Sequence, residues 1–235
     1  MTSSTALIVR GGWEGHAPIA AIELFVPFLE EQGYAISIEE SPAVYADEER
    51  MRAVDLIVQS VTMSTIERDE LAGLAAAVER GTGLAGWHGG IADSYRNSSD
   101  YLQLIGGQFA THPSKAPEFV HGDETDNFVP YTVNVTELGR QHPVMDGIED
   151  FDLHTEQYWV LNDDLIDVLA TTTHPAPAWH PWHRPVTSPV VWTRLWGAGR
   201  IFVATPGHNV AVLQNENVNT IVKRGMLWAL SLIHI

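Results

Sequence analysis

The amino-acid sequence predicts an α/β fold, with a parallel β-sheet covered by helices on both faces. Residues 1–110 alternate short apolar runs with helical patterns, and strands joined through helices form right-handed crossovers to parallel neighbours. Hydrophobic residues make up 45% of the 235 residues and charged residues 18%, which is the balance of a folded globular protein. We therefore expect one domain over residues 1–235, with a substantial core.

The first half of the chain contains four predicted strands and two predicted helices. Apolar runs indicate strands at residues 6–10, 54–59 and 83–87, and an alternating pattern indicates one at 35–39. A 3.6-residue apolar pattern indicates a helix over 18–32, which Pro27 should split because its ring clashes with a carbonyl one turn earlier. Ser64 and Glu67 have the spacing of a capping box, so a second helix should follow them and end at Gly81.

The second half is less regular and predicts strands more often than helices. Alternating apolar residues indicate strands near 131–135 and 168–172. Residues 189–195 and 200–204 flank a Trp-Gly-Ala-Gly turn, which predicts a hairpin extension to the sheet. A final helix is expected over about 217–232.

The net charge limits the kinds of partner that this protein can bind. Thirteen basic residues against 30 acidic residues give a net charge of −17, which would repel nucleic acid and anionic membranes. The apolar run near the N-terminus is too short for a signal peptide, and no stretch is long enough to span a bilayer, so we expect a cytoplasmic protein. Tryptophan-rich loops favour a homo-oligomer, because exposed aromatic surface is usually covered.

Histidine and carboxylate are the reactive groups that this composition leaves available. The chain has 11 histidines and no cysteine, which excludes disulfides, thiolate metal ligands and a cysteine nucleophile. In an open parallel sheet, ligands bind at the carboxyl ends of the strands. His16, His88 and His208 each follow a predicted strand and lie beside glycines, so these three histidines are candidate site residues.

One of these segments has the pattern of a nucleophile elbow. In Gly86-Trp87-His88-Gly89-Gly90 a strand leads into Gly-x-X-x-Gly and then into a helix, with His88 at the position of the nucleophile. Taken alone, the string is equally compatible with a histidine packed at the end of a strand.

Six short motifs, taken in order, point to a family. They are Gly83-Leu84-Ala85-Gly86-Trp87-His88-Gly89-Gly90, Leu104-Ile105-Gly106-Gly107-Gln108-Phe109 with His112-Pro113, His142-Pro143-Val144 with Gly147-Ile148, Glu156-Gln157-Tyr158, Gly199-Arg200-Ile201-Phe202 with Pro206-Gly207-His208, and Arg224-Gly225-Met226-Leu227-Trp228-Ala229. Their order and spacing resemble the trehalose-utilization (ThuA-like) family over residues 6–229.

The resemblance implies a flavodoxin-like sheet of the class I glutamine amidotransferase type. It also implies a role in the breakdown of trehalose or related disaccharides, and a hydrolase or lyase acting on 3-keto derivatives of glycosides. His88 stands where the amidotransferases carry their cysteine nucleophile. Because the chain has no cysteine, glutamine amidotransfer itself is excluded.

Elimination next to a keto group needs one residue to take a proton and another to give one, and histidine suits both roles near neutral pH. We therefore expect His88 and Glu156 to form the acid–base pair on a small sugar substrate. The residues expected to bind the substrate or orient the pair are His16, His112, His208, Trp13, Trp87 and Tyr158.

Two alternatives stay open at this point. A divalent metal, zinc or a similar ion, bound by His88, His112 and His208, could polarise the keto oxygen. The chain could instead be a non-catalytic sugar-binding or regulatory module, because a fold does not fix a function.

Overall fold

The computed structural model describes residues 4–113, 115–116, 118, 120 and 126–230. Its strands are β1 (Thr5–Gly12), β2 (Ala35–Glu39), β3 (Leu56–Thr62), β4 (Gly83–Trp87), β5 (Gly107–Thr111), β6 (Phe128–Val135), β7 (Phe151–Glu156), β8 (Trp159–Asn162), β9 (Asp167–His174), β10 (Val186–Trp196) and β11 (Gly199–Ala204). Its α-helices are α1 (Pro18–Glu23), α2 (Val26–Glu31), α3 (Glu48–Arg52), α4 (Arg68–Arg80), α5 (Gly89–Ala92), α6 (Ser99–Ile105), α7 (Glu137–Arg140), α8 (Val210–Leu213) and α9 (Glu216–Ala229).

Nine of these strands form one sheet in the order β2-β1-β3-β4-β11-β10-β9-β6-β7. The pairs among β2, β1, β3, β4 and β11 are parallel, and every pair from β11 to β7 is antiparallel. The remaining strands, β5 and β8, form a separate antiparallel pair. The predicted α/β class is confirmed, and the expected hairpin β10–β11 lies in the middle of the main sheet.

Side-chain alternation explains why helices cover both faces of the parallel half. On β1, Ala6 and Ile8 belong to the apolar core on one face, whereas Leu7 and Val9 belong to the core on the other. Helices α1, α2 and α9 contribute to the first core, and α3, α4 and α6 to the second. Buried strands of this kind are continuous apolar runs, which is how they appear in the sequence.

The structure agrees with several predicted boundaries and corrects others. The helix predicted over 18–32 is split into α1 and α2, with Pro27 in the first turn of α2, where its missing N–H costs nothing. The capping box before α4 is formed by Glu67 and Glu70, so the proposed role of Ser64 is wrong. Helix α4 does end at Gly81. The last helix was predicted to reach about residue 232, but it ends at Ala229.

The strand directions bring distant segments to one edge of the sheet. Four successive antiparallel pairs separate β11 from β7, so β7 points in the same direction as the parallel strands. The carboxyl ends of β1, β3, β4, β11 and β7 therefore share one edge. Within the part of the chain that the structure describes, no helix combines the length and the apolar character needed to cross a bilayer.

We predict that Gly225→Ala destabilises the protein, although alanine is the better helix former. An added Cβ would lie 2.3 Å from two ring atoms of Phe202, which is fully buried in the core under α9. The helix-propensity gain of about 1 kcal/mol is outweighed by overpacking, which typically costs about 1–3 kcal/mol and more where the neighbour cannot move. Urea unfolding should show a lower midpoint for this variant, and little change for Leu227→Ala, which is on the same helix but exposed.

Candidate functional site

The site is centred on His88, at the sharp turn between β4 and α5. Its backbone has φ 51° and ψ −144°, a conformation that non-glycine residues rarely adopt. The turn is held because the His88 backbone N–H donates to Ala204 O at 2.7 Å and the side-chain Nδ1 donates to Thr205 O, also at 2.7 Å. The two glycines that follow are needed for close packing, since a Cβ at Gly90 would lie 2.8 Å from the Cα of Ser60.

Glu156, the last residue of β7, lies against this histidine. Its Oε2 is 3.0 Å from Nε2 of His88 and 3.0 Å from Nδ1 of His208, and its Oε1 is 3.5 Å from Nε2 of His112. Burial alone would raise the pKa of this carboxyl group. The contacts with His208 and His88 outweigh burial and hold the pKa of Glu156 well below its usual range, so the group is a carboxylate.

His16 completes the cluster from the short 3-10 turn after β1. Its ring centroid is 4.5 Å from that of His88 and 5.1 Å from that of His208, and its Nδ1 is 2.9 Å from Oγ1 of Thr62. Burial, followed by the neighbouring His88 and His208, lowers the pKa of His16 to about 3. The ring is therefore neutral at physiological pH and keeps a lone pair.

Tyr158 and His112 form the opposite wall of the cluster. The hydroxyl of Tyr158 is 2.9 Å from Nε2 of His88, and burial raises the pKa of Tyr158 well above its usual value, so the O–H is a donor. His112 follows β5, and its ring lies 5.2 Å from that of Tyr158 and 4.7 Å from that of Phe109. Burial lowers the pKa of His112.

The hydrogen-bond pattern around His88 requires a positive charge. A carbonyl only accepts, so Nδ1 carries the proton that is donated to Thr205 O, and a neutral ring then has a lone pair at Nε2. Tyr158 can donate to that lone pair, but a carboxylate oxygen at 3.0 Å cannot. A second proton on His88 or a bound cation must therefore lie between Nε2 and Glu156.

The same cluster could hold a metal ion. His16, His88, His208 and Glu156 each offer one ligand atom, and these four atoms lie within 4.8 Å of one another. This group differs from the predicted metal set, because His16 and Glu156 join it and His112 does not. The sequence could not give the correct set, because which residues from separate strands lie close together depends on the strand order.

The structure brings most of the predicted site residues together, but not all of them. His88, Glu156, His16, His208, His112 and Tyr158 form one side-chain cluster. Because His16, His112 and His208 are only half-buried, the cluster is open to solvent on one side, and we call this open side the cleft. Trp13 is at the rim, 47% exposed, with its ring 4.8 Å from that of His16. Trp87 lies elsewhere: it is buried in the core with its ring 4.8 Å from Phe25, because its side chain points to the opposite side of the elbow turn from the cleft.

Sequence reasoning missed several residues that support or line the cleft. Thr62 is the last residue of β3, so a search of strand ends could have found it. Thr205 acts through its backbone carbonyl, which carries no sequence signal. Arg96 is held by two hydrogen bonds to Asp93 and lies 5.7 Å from the ring centroid of Phe109, a placement that depends on the tertiary fold.

Comparison with known proteins agrees with this architecture. The family model described as trehalose utilisation (ThuA) matches residues 5–229 of the 235. The chain belongs to the ThuA family. The match spans all five strand ends that supply the cleft, so the family assignment covers the whole site. It links this chain to trehalose utilisation.

Solved structures of ThuA-like proteins have the same fold. A ThuA-like protein of Bacteroides uniformis superposes with a TM-score of 0.71 at 18% identity, covering 96% of this chain and 91% of that one. A ThuA-like protein of Parabacteroides merdae gives a TM-score of 0.71 at 15% identity, covering 97% and 90%. A cytoplasmic protein of Salmonella typhimurium gives 0.64 at 12% identity, covering 97% and 99%. No curated protein matches the chain.

We predict that neutral His88 carries its proton on Nδ1. The hydrogen bond to Thr205 O fixes a proton on Nδ1, and burial lowers the pKa of the His88 ring. Long-range ¹H–¹⁵N spectra of protein treated with a chelator at pH 7.5 should show a protonated Nδ1 for this residue, with or without a second proton on Nε2. The opposite tautomer would contradict the hydrogen-bond pattern described above.

Proposed function

We propose that this ThuA-family chain is a sugar-catabolic enzyme that cleaves a 3-keto disaccharide or 3-keto glycoside. The observation that carries the proposal is the 3.0 Å contact between His88 Nε2 and the Glu156 carboxylate, in a cleft lined by three further histidines. Membership of a trehalose-utilisation family supports a disaccharide-related substrate. The net charge of −17 favours a neutral sugar over an anionic one.

The proposed reaction begins with elimination. A keto group at C3 makes the C2–H bond acidic, so a base takes that proton, a C1–C2 double bond forms, and the C1–O glycosidic bond breaks. The leaving oxygen receives a proton and departs as an alcohol. Water then adds across the new double bond, with the oxygen at C1 and a proton at C2, so the overall change is hydrolysis.

The cluster has groups for both proton transfers. His88 and Glu156 are in direct contact, so a proton can pass between them, and His112 and Tyr158 lie within the same cleft. General acid–base catalysis of this kind contributes about 10²–10⁴-fold to the rate. Whether the positive charge beside His88 is a proton or a metal ion, these side chains remain at the centre of the reaction.

The rim of the cleft supplies contacts suited to a sugar. Trp13 presents an exposed ring next to His16, and Arg96, held by Asp93, has about half of its side chain exposed. An aromatic face packs against the C–H bonds of a sugar ring, and a guanidinium group donates to hydroxyl or carbonyl oxygens. We propose a small-molecule sugar as the partner, and the cytoplasm as the place where the protein acts.

Incubation with defined sugars tests this proposal. Trehalose, 3-keto-trehalose and a 3-keto-glucoside are incubated with the protein, and the products are identified by mass spectrometry and NMR. We expect no change in trehalose, and conversion of the two keto sugars into a 3-keto-hexose and the released sugar or alcohol. Binding of the keto sugars in calorimetry without any product would favour a sugar-binding module instead.

Two substitutions test the assigned pair. Glu156→Gln and His88→Asn remove the carboxylate charge and the Nε2 nitrogen, so we expect kcat/KM for 3-keto-trehalose to fall at least about 10²-fold in each variant. The matched controls are Glu149→Gln and His154→Asn, which change exposed side chains outside the cleft and should keep full activity. Turnover that survives both cleft substitutions would rule out the pair.

A further inference from the structure

We infer that His16, His88, His208 and Glu156 bind one divalent first-row transition-metal ion at the edge of the sheet. The binding of the ion is argued from the side chains alone. Its part in turnover rests on the function proposed above. The ligands come from the ends of four strands, β1, β4, β7 and β11, so no local sequence motif reveals the site.

The distances between the donor atoms fit coordination geometry. With bonds of about 2.1 Å, neighbouring ligands of an octahedral ion are about 3.0 Å apart and opposite ligands about 4.2 Å apart. Glu156 Oε2 is 3.0 Å from both His88 Nε2 and His208 Nδ1, as expected for neighbours. All four donor atoms lie within 4.8 Å of one another, so small side-chain shifts bring the widest pair into range.

Two ligands are already oriented by hydrogen bonds on their far side. His88 donates from Nδ1 to Thr205 O at 2.7 Å, and His16 has its Nδ1 2.9 Å from Oγ1 of Thr62. The His88 contact leaves Nε2 with its lone pair facing Glu156, and the Thr62 hydroxyl, which can accept from Nδ1 of His16, can hold that ring in the corresponding tautomer. Metal-bound histidines usually have such a partner on the other ring nitrogen, which fixes the tautomer and the ring orientation.

His208 gives an independent indication. Its Nδ1 is buried and makes no hydrogen bond within the described part of the chain, although Oε2 of Glu156 is only 3.0 Å away. The nitrogen is therefore close to the oxygen without being aimed at it. This arrangement is expected when the nitrogen and the oxygen are both ligands of an ion that lies between them. Without such an ion, a buried nitrogen that makes no hydrogen bond destabilises the fold.

The charges of the cluster also call for a cation. The buried carboxylate of Glu156 has imidazoles as its charged-group contacts, and the guanidinium of Arg96 is already paired with the buried Asp93. A divalent ion would supply the positive charge that this carboxylate lacks. This also resolves the contact between the His88 lone pair and the carboxylate, because both would face the ion.

The donor set indicates the kind of ion. Three imidazole nitrogens and one carboxylate oxygen suit Zn²⁺, Mn²⁺, Fe²⁺ or Co²⁺, and the absence of cysteine makes ions that need thiolates unsuitable. His16 and His208 are only partly buried, so the cluster opens to the cleft on their side. A bound ion with a free position there would polarise a sugar keto oxygen as a Lewis acid. With an ion bound, His88 and Glu156 would act by holding it, and proton transfer would fall to His112 and Tyr158 in place of the pair assigned above.

Metal analysis of untagged protein tests the inference. Protein purified without chelator is analysed by elemental mass spectrometry, then stripped, and its affinities for Zn²⁺ and Co²⁺ are measured by equilibrium dialysis. We expect close to one ion per chain in wild type, and a loss of affinity of at least about 10-fold in His208→Ala and in Thr62→Val, which replaces the hydroxyl beside His16 Nδ1 with a methyl group. His154→Ala, an exposed control, and His112→Ala should bind like wild type.

The outcomes separate this inference from the proposed function. No ion in the purified protein and no uptake in dialysis would overturn the metal site, whatever the protein does to keto sugars. Uptake that is unchanged in both His208→Ala and Thr62→Val would overturn it as well, because the ion would then be bound elsewhere. Stoichiometric binding that depends on these residues would stand even if no keto sugar were converted, and only the proposed reaction would then fail.

Discussion

One buried carboxylate determines the organisation of this site. Glu156 is only 6% exposed, yet it stays ionised because imidazoles of three histidines surround it at 3.0–3.5 Å. A buried charge without compensation would be strongly destabilising. The fold therefore has to place polar side chains around the Glu156 carboxylate, and this requirement explains the positions of the histidines in the cleft.

The sheet delivers those partners through its mixed topology. The parallel half brings the ends of β1, β3, β4 and β11 to one edge, and the antiparallel half returns β7 to the same edge in the same direction. The positive φ of His88 turns its ring into the cleft, while Trp87 before it packs into the core. Strain at the elbow is tolerated because the backbone and the ring of His88 are both hydrogen-bonded to the segment after β11.

The sequence predicted the regular part of this structure well. The buried parallel strand β4 is a continuous apolar run and was predicted with its observed bounds. The alternating pattern of residues 35–39 likewise predicted β2, an edge strand, and glycines marked the elbow. The strands β5 and β8 were not predicted, because they are only five and four residues long and neither has the apolar alternation of a strand. Strand β7 ends at Glu156, and Tyr158 reaches His88 from the connection to β8.

The composition of the cluster could be predicted only in part. Histidines next to glycines at strand ends are visible in the sequence, and they named His16, His88 and His208 correctly as neighbours in space. Which of the histidines can bind the same ion depends on the strand order. That order places His16 in the group with Glu156, whereas His112 contacts the other carboxylate oxygen, Oε1. The supporting contacts of Thr62 and Thr205 depend on backbone geometry that no residue pattern encodes.

The central claim is that a cation lies between the imidazoles and Glu156, and anomalous diffraction tests it most directly. Crystals grown with Zn²⁺ or Co²⁺ would be measured above and below the absorption edge of the metal. We expect one strong anomalous peak about 2.0–2.2 Å from His88 Nε2, His208 Nδ1 and a carboxylate oxygen of Glu156. A map without a peak at this position, with the Glu156 carboxylate hydrogen-bonded directly to a doubly protonated His88, would contradict it.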